Sequence, residues 1–365
     1  MRAAVFTDPS RPVEILDVQL APPGPTEVKV AIAAAGVCHS DLHVRRGDWE
    51  LPLPLVMGHE GSGVVTEVGA SVTHLVPGDH VVLSWVAPCG KCRYCLKGLD
   101  VRCEVAATTV ALGGGLNDGT TRLSVDGSPI HHYLGTSSFA EQAVVPAAGA
   151  IKVRSDAPLE AISLVGCAVA TGVGAVRHTA GVPTGATVAV VGCGGVGLSI
   201  VQGARMAGAE RIVAIDVRSE KLSLARTFGA TDVVDASSTD AVAAVLDLLH
   251  EGVDFAFDAI GKSATTGQCL ALLGLGGAAV VVGIPAAGVT ATFEPQVLVD
   301  RDQRIMGSNY GGIRPSIDIP WLVDQYMEGT LMIDELISAR RPLADAEQAL
   351  LDLEGGAVLR QLLIP

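Results

Sequence analysis

A chain of 365 residues, 49% of them hydrophobic and only 18% charged, is long enough to bury a sizeable core and to form two domains. Its net charge of −14, with no block of basic residues, repels a phosphate backbone and excludes nucleic acid as an expected partner. The 43 glycines and 19 prolines are dispersed among apolar runs, which excludes a low-complexity tract and suits many tight strand-to-helix turns.

The N-terminus, MRAAVFTDPSRP, has neither an apolar run nor a cleavage signature, so no secretory signal is expected. With eight cysteines and no such signal, metal or catalytic roles come ahead of a disulfide framework, and a cytoplasmic location is expected. Over 1–150 the runs EVKVAIAAAGV, GSGVVTEVG, DHVVLSWV and FAEQAVVP are rich in Val and Ala and bounded by Gly, Pro or Asp. Turn chemistry stands at Pro22–Pro25 and Pro77–Asp79. This half is expected to be mostly antiparallel β.

From Thr187 the rhythm changes. TVAVV, RIVAID, ATDVVDA, DFAFDAI and GAAVVVGI are strand patterns, and helix patterns lie between the first four of them. Strands alternating with helices through short turns predict an α/β doubly wound parallel sheet. The uncharged stretch from Leu270 to Phe293 is long enough to span a bilayer, but its glycines and its AVVVGI centre fit a buried strand better, so no membrane partner is expected. After Ser308 come helical segments and a last apolar strand, VLRQLLIP, whose destination the pattern leaves open.

Gly192, Gly194 and Gly197 form G-x-G-x-x-G between the TVAVV strand and a helix, with Gly195 and Val196 in the same loop. The first Gly permits a tight turn, the second lets backbone approach a pyrophosphate, and the third lets helix pack on strand. Asp216 closes RIVAID about 20 residues further on, where an acid accepts ribose hydroxyls. NAD is therefore expected over NADP, although Arg218 nearby leaves NADP open. Lys221 could add a ribose contact or be a solvated helix lysine.

Cys89, Cys92, Cys95 and Cys103 have the close spacing with which one loop wraps a tetrahedral zinc ion. An iron–sulfur cluster is the main rival, though Glu104 stands where a proline usually follows the last ligand. Four protein ligands close such a site, so its zinc would be structural. Cys38, His59 and Cys167 are candidates for a second, open site that two thiolates and one imidazole could form. Taken singly, each is equally an ordinary buried residue.

In order along the chain stand GVCHSDLH, GHEGSGVV, the four-cysteine loop, GCAVATGVGAV and GCGGVG. Together they resemble the zinc-containing alcohol dehydrogenases of the medium-chain dehydrogenase/reductase superfamily, over essentially the whole length. The resemblance implies a GroES-like β-rich catalytic domain over 1–168 and 309–365, and a Rossmann cofactor domain over 169–308. It implies two zinc ions per chain, the catalytic one on Cys38, His59 and Cys167, with Glu60 close to the metal and Asp41 orienting the histidine. It implies that Ser40 and His43 carry a proton relay. Cofactor contacts would be His39, Thr171, Lys262, Val282, Gly283, Ile284 and Arg360, besides the glycine loop, Asp216 and Lys221. Trp49, Trp85, Thr108 and Tyr133 would line the substrate pocket.

The implied activity is reversible hydride transfer between a primary or secondary alcohol and NAD, giving an aldehyde or ketone. Two tryptophans in the pocket point to a hydrophobic or aromatic alcohol. The alternative enzyme is a thiol-dependent formaldehyde dehydrogenase, against which Ala107 stands where those enzymes carry an arginine. A non-catalytic, zinc-stabilised binding protein is the rival from another class. The segment after Cys103, LNDGTTRLSVDGSPIHHYLGTSSF included, resembles the longer loop of dimeric relatives; a homodimer is expected, with a tetramer as the alternative.

Overall fold

The computed structural model describes residues 1–356 and 358–365, which fall into two compact units, Met1–Cys167 with Arg314–Pro365, and Ala168–Ile313. The first contains two sheets. One has the strand order Ala150–Lys152, His80–Leu83, Glu60–Val68, Glu27–Gly36, Arg360–Ile364 and Ile337–Pro342, and Gln142–Pro146 also pairs with Glu27–Gly36. Its pairings are antiparallel except the last, where Ile337–Pro342 runs parallel to Arg360–Ile364. Alternation in these strands sends Val28, Val30, Ile32, Val65, Val81 and Leu83 into one apolar cluster. The destination left open by the sequence is resolved, since Leu362 and Leu363 pair with Gly36 and Ala35. The smaller sheet includes Arg2–Phe6, Leu55–Val56 and Ser128–His132.

Two registers matter for function. Gly36 lies opposite Glu60 in the antiparallel ladder, so the residues just past the first strand and just before the second become neighbours. Glycine is needed at 36, because a Cβ there would sit 2.0 Å from Glu60 Oε2. The short turn Ser163–Gly166 then approaches the same strands, and a Cβ on Gly166 would lie 2.7 Å from the Leu83 carbonyl oxygen. Both glycines permit approaches that a side chain would block.

The second unit is the expected parallel sheet. Its order is Asp232–Asp235, Arg211–Asp216, Thr187–Val191, Val253–Asp258, Leu273–Val281 and Arg304–Gly307, every pairing parallel. In chain order this is 3-2-1-4-5-6, the doubly wound dinucleotide-binding arrangement. Ala189, Val191, Val213, Ile215 and Ala256 are buried in one cluster, as expected for strands covered on both faces. Leu270–Phe293 contains the strand Leu273–Val281, and no single helix among the described residues is long and apolar enough to cross a membrane.

Candidate active site

Cys38 ends the loop after Glu27–Gly36, His59 precedes Glu60–Val68, and Cys167 follows the Ser163–Gly166 turn. The ligand atoms of these three residues lie within 4.8 Å of one another, and all three residues are buried. His59 Nε2 is 3.3 Å from Cys167 Sγ, which leaves Nδ1 to face Asp41 Oδ1 at 3.2 Å. Asp41 Oδ2 accepts the Cys38 backbone N–H at 2.9 Å. Asp41 therefore caps the His39–Arg46 helix and orients the imidazole with a single carboxylate.

The electrostatics ask for a cation. The hydrogen bond with Cys167, working against burial, holds the Cys38 thiol well below its ordinary range. Burial opposes charge on His59, yet Asp41 and the Cys38 thiolate raise it to about 10. Two thiols and a buried carboxylate thus draw positive charge onto the imidazole, and a divalent ion bound to Nε2 would supply that charge instead. The donor set fits zinc, with protein donors at three positions.

Glu60 is wholly buried and ion-paired with the Arg360 guanidinium, itself 4% exposed. Tyr133 stands edge-on to His59, with ring centroids 5.4 Å apart. Its hydroxyl is buried without a hydrogen-bond partner among the described residues. Burial first, and Asp41 next, keep that hydroxyl protonated. Ser40 is half-buried and His39 exposed on the first turn of the His39–Arg46 helix. His43 is farther along that helix, its Nδ1 2.7 Å from Asp48 Oδ2 and its ring stacked on Trp49. No sequence motif singles out Asp48, although Gly47 just after a helical pattern is a recognisable stop signal that places the next residue back on the last turn.

The remaining pocket candidates stand in differing surroundings. Trp49 packs against the apolar cluster of Phe6, Leu55 and Leu350. Trp85 is half-buried, and Thr108 is exposed with its hydroxyl donating to the Glu104 carbonyl.

The four-cysteine loop is drawn together by two short 3-10 turns, Cys95–Lys97 and Asp100–Arg102. Sγ atoms of Cys92 and Cys95 are 3.5 Å apart and those of Cys89 and Cys95 4.0 Å. Those separations bracket the edge of about 3.8 Å that a zinc–thiolate tetrahedron requires, and all four cysteines are free thiols. Backbone N–H groups of Cys95 and Glu104 bring Cys92 to about 6, whereas burial raises Cys95 to about 12. A metal would let all four be thiolates.

In the second unit Gly192 has φ 95°, and a Cβ on Gly197 would meet the Gly192 carbonyl oxygen at 1.7 Å. A Cβ on Gly194 would meet nothing within 4 Å, so the backbone there is open to a ligand. The Gly195–Met206 helix begins at that point without a side-chain cap, leaving N–H groups for a pyrophosphate. Asp216 accepts the N–H groups of Cys193 (2.7 Å) and Arg218 (3.0 Å), one on each oxygen, and each oxygen keeps a lone pair for a ribose hydroxyl. Thr171 and Val282 are buried, Lys221 and Gly283 half-buried, and Lys262 and Ile284 exposed.

Two family models match the chain, an alcohol dehydrogenase GroES-like domain over residues 24–155 and a zinc-binding dehydrogenase over 195–327. The chain is 41% identical to a probable S-(hydroxymethyl)glutathione dehydrogenase 1 of Schizosaccharomyces pombe, over 98% of this chain and 95% of the relative. It is 38% identical to an alcohol dehydrogenase class-3 of Zea mays, over 99% and 96% of the two chains. Among solved structures it is similar to benzyl alcohol dehydrogenase from Acinetobacter calcoaceticus, with a TM-score of 0.94 and 34% identity over 100% and 98% of the chains.

Proposed function

Because the chain belongs to the zinc-containing alcohol dehydrogenases of the medium-chain dehydrogenase/reductase superfamily, we propose that Cys38, His59 and Cys167 hold its catalytic zinc and bind the hydroxyl of the substrate alcohol there. The enzyme is an NAD-linked oxidoreductase with zinc at two kinds of site. Bound at these residues, zinc would supply Lewis acidity toward a substrate oxygen, and NAD held by the glycine loop and Asp216 would supply hydride chemistry. The observation that carries the reading is the buried Cys38–His59–Cys167 cluster backed by Asp41.

The chain's own groups do the rest. Asp41 keeps a lone pair on His59 Nε2 by engaging Nδ1. Ser40 takes the hydroxyl proton and His43 passes it toward solvent. The open glycine loop and Asp216 seat the cofactor, with Asp216 favouring an unphosphorylated ribose. Arg360, whose guanidinium is paired with Glu60, is assigned a cofactor contact by the family resemblance. The Tyr133 hydroxyl, a buried donor with no acceptor among the described residues, suits contact with a substrate oxygen.

For substrate, relatives named as S-(hydroxymethyl)glutathione dehydrogenases favour the S-hydroxymethyl adduct of a low-molecular-weight thiol over a free aromatic alcohol. The second reading keeps one observation in its favour, the likeness to a benzyl alcohol dehydrogenase. Initial rates of NADH formation with formaldehyde, with and without added glutathione or another small thiol, and with benzyl and aliphatic alcohols decide between them. Turnover of formaldehyde only in the presence of thiol supports the adduct. Faster turnover of benzyl alcohol overturns it. A cytosolic homodimer suits eight free thiols and the long loop after Cys103, and sedimentation of the purified chain at twice its 37.3 kDa would support the dimer.

A further inference from the structure

The His39–Arg46 helix closes on Gly47, whose φ of 74° and ψ of 20° lie in the left-handed region. The Gly47 N–H donates to the Val44 carbonyl at 3.0 Å and the Asp48 N–H to the His43 carbonyl at 2.9 Å. This closure turns the chain back over the last turn of the helix. It sets the Asp48 carboxylate 2.7 Å from His43 Nδ1. Trp49 then stacks on the imidazole, with centroids 4.9 Å apart and planes 24° from parallel. Residues 47–49 thus hold His43 by one edge and one face.

A carboxylate only accepts hydrogen bonds, so Nδ1 carries the hydrogen and the neutral ring keeps its lone pair on Nε2. The other charged groups of this helix and of the helix packed on it have partners of their own. Arg45 and Arg46 pair with Glu347 and Glu354 of the packed Ala346–Glu354 helix. Asp345 and Asp352 pair with Arg341. Asp41 engages Cys38 and His59.

We propose that Asp48 is a positioning residue for the dehydrogenase reaction, fixing His43 as the tautomer whose Nε2 takes the proton released from the alcohol. The inference rests on the reading of His43 as the end of the proton path. Oxidation of the alcohol sends a hydride to NAD and one proton outward. That proton lands on Nε2, the resulting imidazolium keeps its Nδ1–H bond to Asp48, and the Nε2 proton then leaves to water. The Asp48 carboxylate accepts the Nδ1–H bond before and after the transfer, as the carboxylate does in other Asp–His pairs. Both side chains are partly exposed, 21% and 28%, which gives the proton its exit. An asparagine at 48 could donate as well as accept, and would admit the tautomer with no lone pair where the proton must arrive.

The test joins nitrogen-15 NMR of the His43 ring in the zinc-loaded chain, assigned with His43→Gln, to kcat and KM for alcohol oxidation. Asp48→Asn is expected to show mixed His43 tautomers and to lose about tenfold in kcat, a fraction of the roughly 10²–10⁴ a positioned acid–base group supplies. KM for the alcohol should stay within about twofold, and Asp48→Glu should recover the Nδ1–H signature and most of the rate. An Nε2–H tautomer in the native chain overturns the proposal, as does an unchanged tautomer in Asp48→Asn. A changed tautomer with unchanged kcat in Asp48→Asn overturns it too, when His43→Gln is slowed. Native kcat in His43→Gln removes His43 from the proton path and takes the proposal with it.

Discussion

Asp41 Oδ1 lies 3.2 Å from His59 Nδ1, with both side chains almost wholly removed from solvent at 0% and 1% exposure. The contact joins the third residue of a helix to the residue just before a strand. It leaves His59 Nε2 directed at the cysteine pair, and partners that orient a ligating histidine raise metal affinity by roughly 10–100-fold.

Asp41→Asn is therefore expected to weaken zinc binding at the Cys38–His59–Cys167 site by about 10–100-fold. The four-cysteine site should keep its ion. Competition against a chromophoric chelator resolves the two classes of zinc, and native affinity in this variant would remove Asp41 from its orienting role.

Gly197→Ala should cripple cofactor binding before it touches the metal. The new Cβ would fall 1.7 Å from the Gly192 carbonyl oxygen, so the loop must open. Fluorescence titration with NADH is expected to show at least about a tenfold weaker dissociation constant, a loss of about 1.4 kcal/mol. Zinc content should be unaltered. Unweakened NADH binding would contradict the loop's assignment.

Arg360→Met should cost roughly 3–5 kcal/mol of stability in the zinc-loaded protein, because it removes the cation paired with a Glu60 carboxylate at 0% exposure. Adding Glu60→Gln should restore much of that loss by removing the buried charge whose counter-ion is gone. Urea unfolding measures both. A single variant within about 1 kcal/mol of native stability would show that Glu60 finds another partner.

His132 gives stability a pH dependence. Burial, with the Arg122 charge second, lowers it to about 3, and its Nε2 accepts the Arg122 backbone N–H at 3.2 Å. The unfolded chain takes up this proton near pH 6.5, about its unperturbed value. The folded chain holds out until about 3. The stabilisation is thus complete above about pH 6.5 and is lost as pH falls toward 3. Between pH 7 and 5, His132→Gln should lose less stability than the native chain does, by roughly 2 kcal/mol. Equal losses in the two proteins would mean that His132 is protonated when folded.

Much of this chain is legible in its sequence because the governing forces are local. A Val-rich strand, a glycine turn and a helix lie consecutively at Thr187–Met206, and Asp216 ends the next strand, so neighbouring residues suffice to propose a dinucleotide fold. The cysteines at 89, 92, 95 and 103 are close enough in the chain for one loop to gather them. Composition also separated the strand within Leu270–Phe293 from a membrane span.

Other features depended on contacts that no local pattern encodes. Cys38, His59 and Cys167 meet because an antiparallel register places Gly36 opposite Glu60 and a glycine turn reaches the same strands. Sheet register is set by burial across the whole unit, so residues far apart in the chain acquire a shared environment only on folding. The same holds for Glu60 and Arg360, paired across the length of the sequence because neither charge can be buried alone. Trp49, expected to line the substrate pocket, stacks on His43 beside Asp48, an arrangement set by the left-handed closure at Gly47. The sequence by itself determined which chemical groups are present and the local folds that carry them. Tertiary structure decided which groups touch, because desolvation and register act between residues that the chain keeps apart.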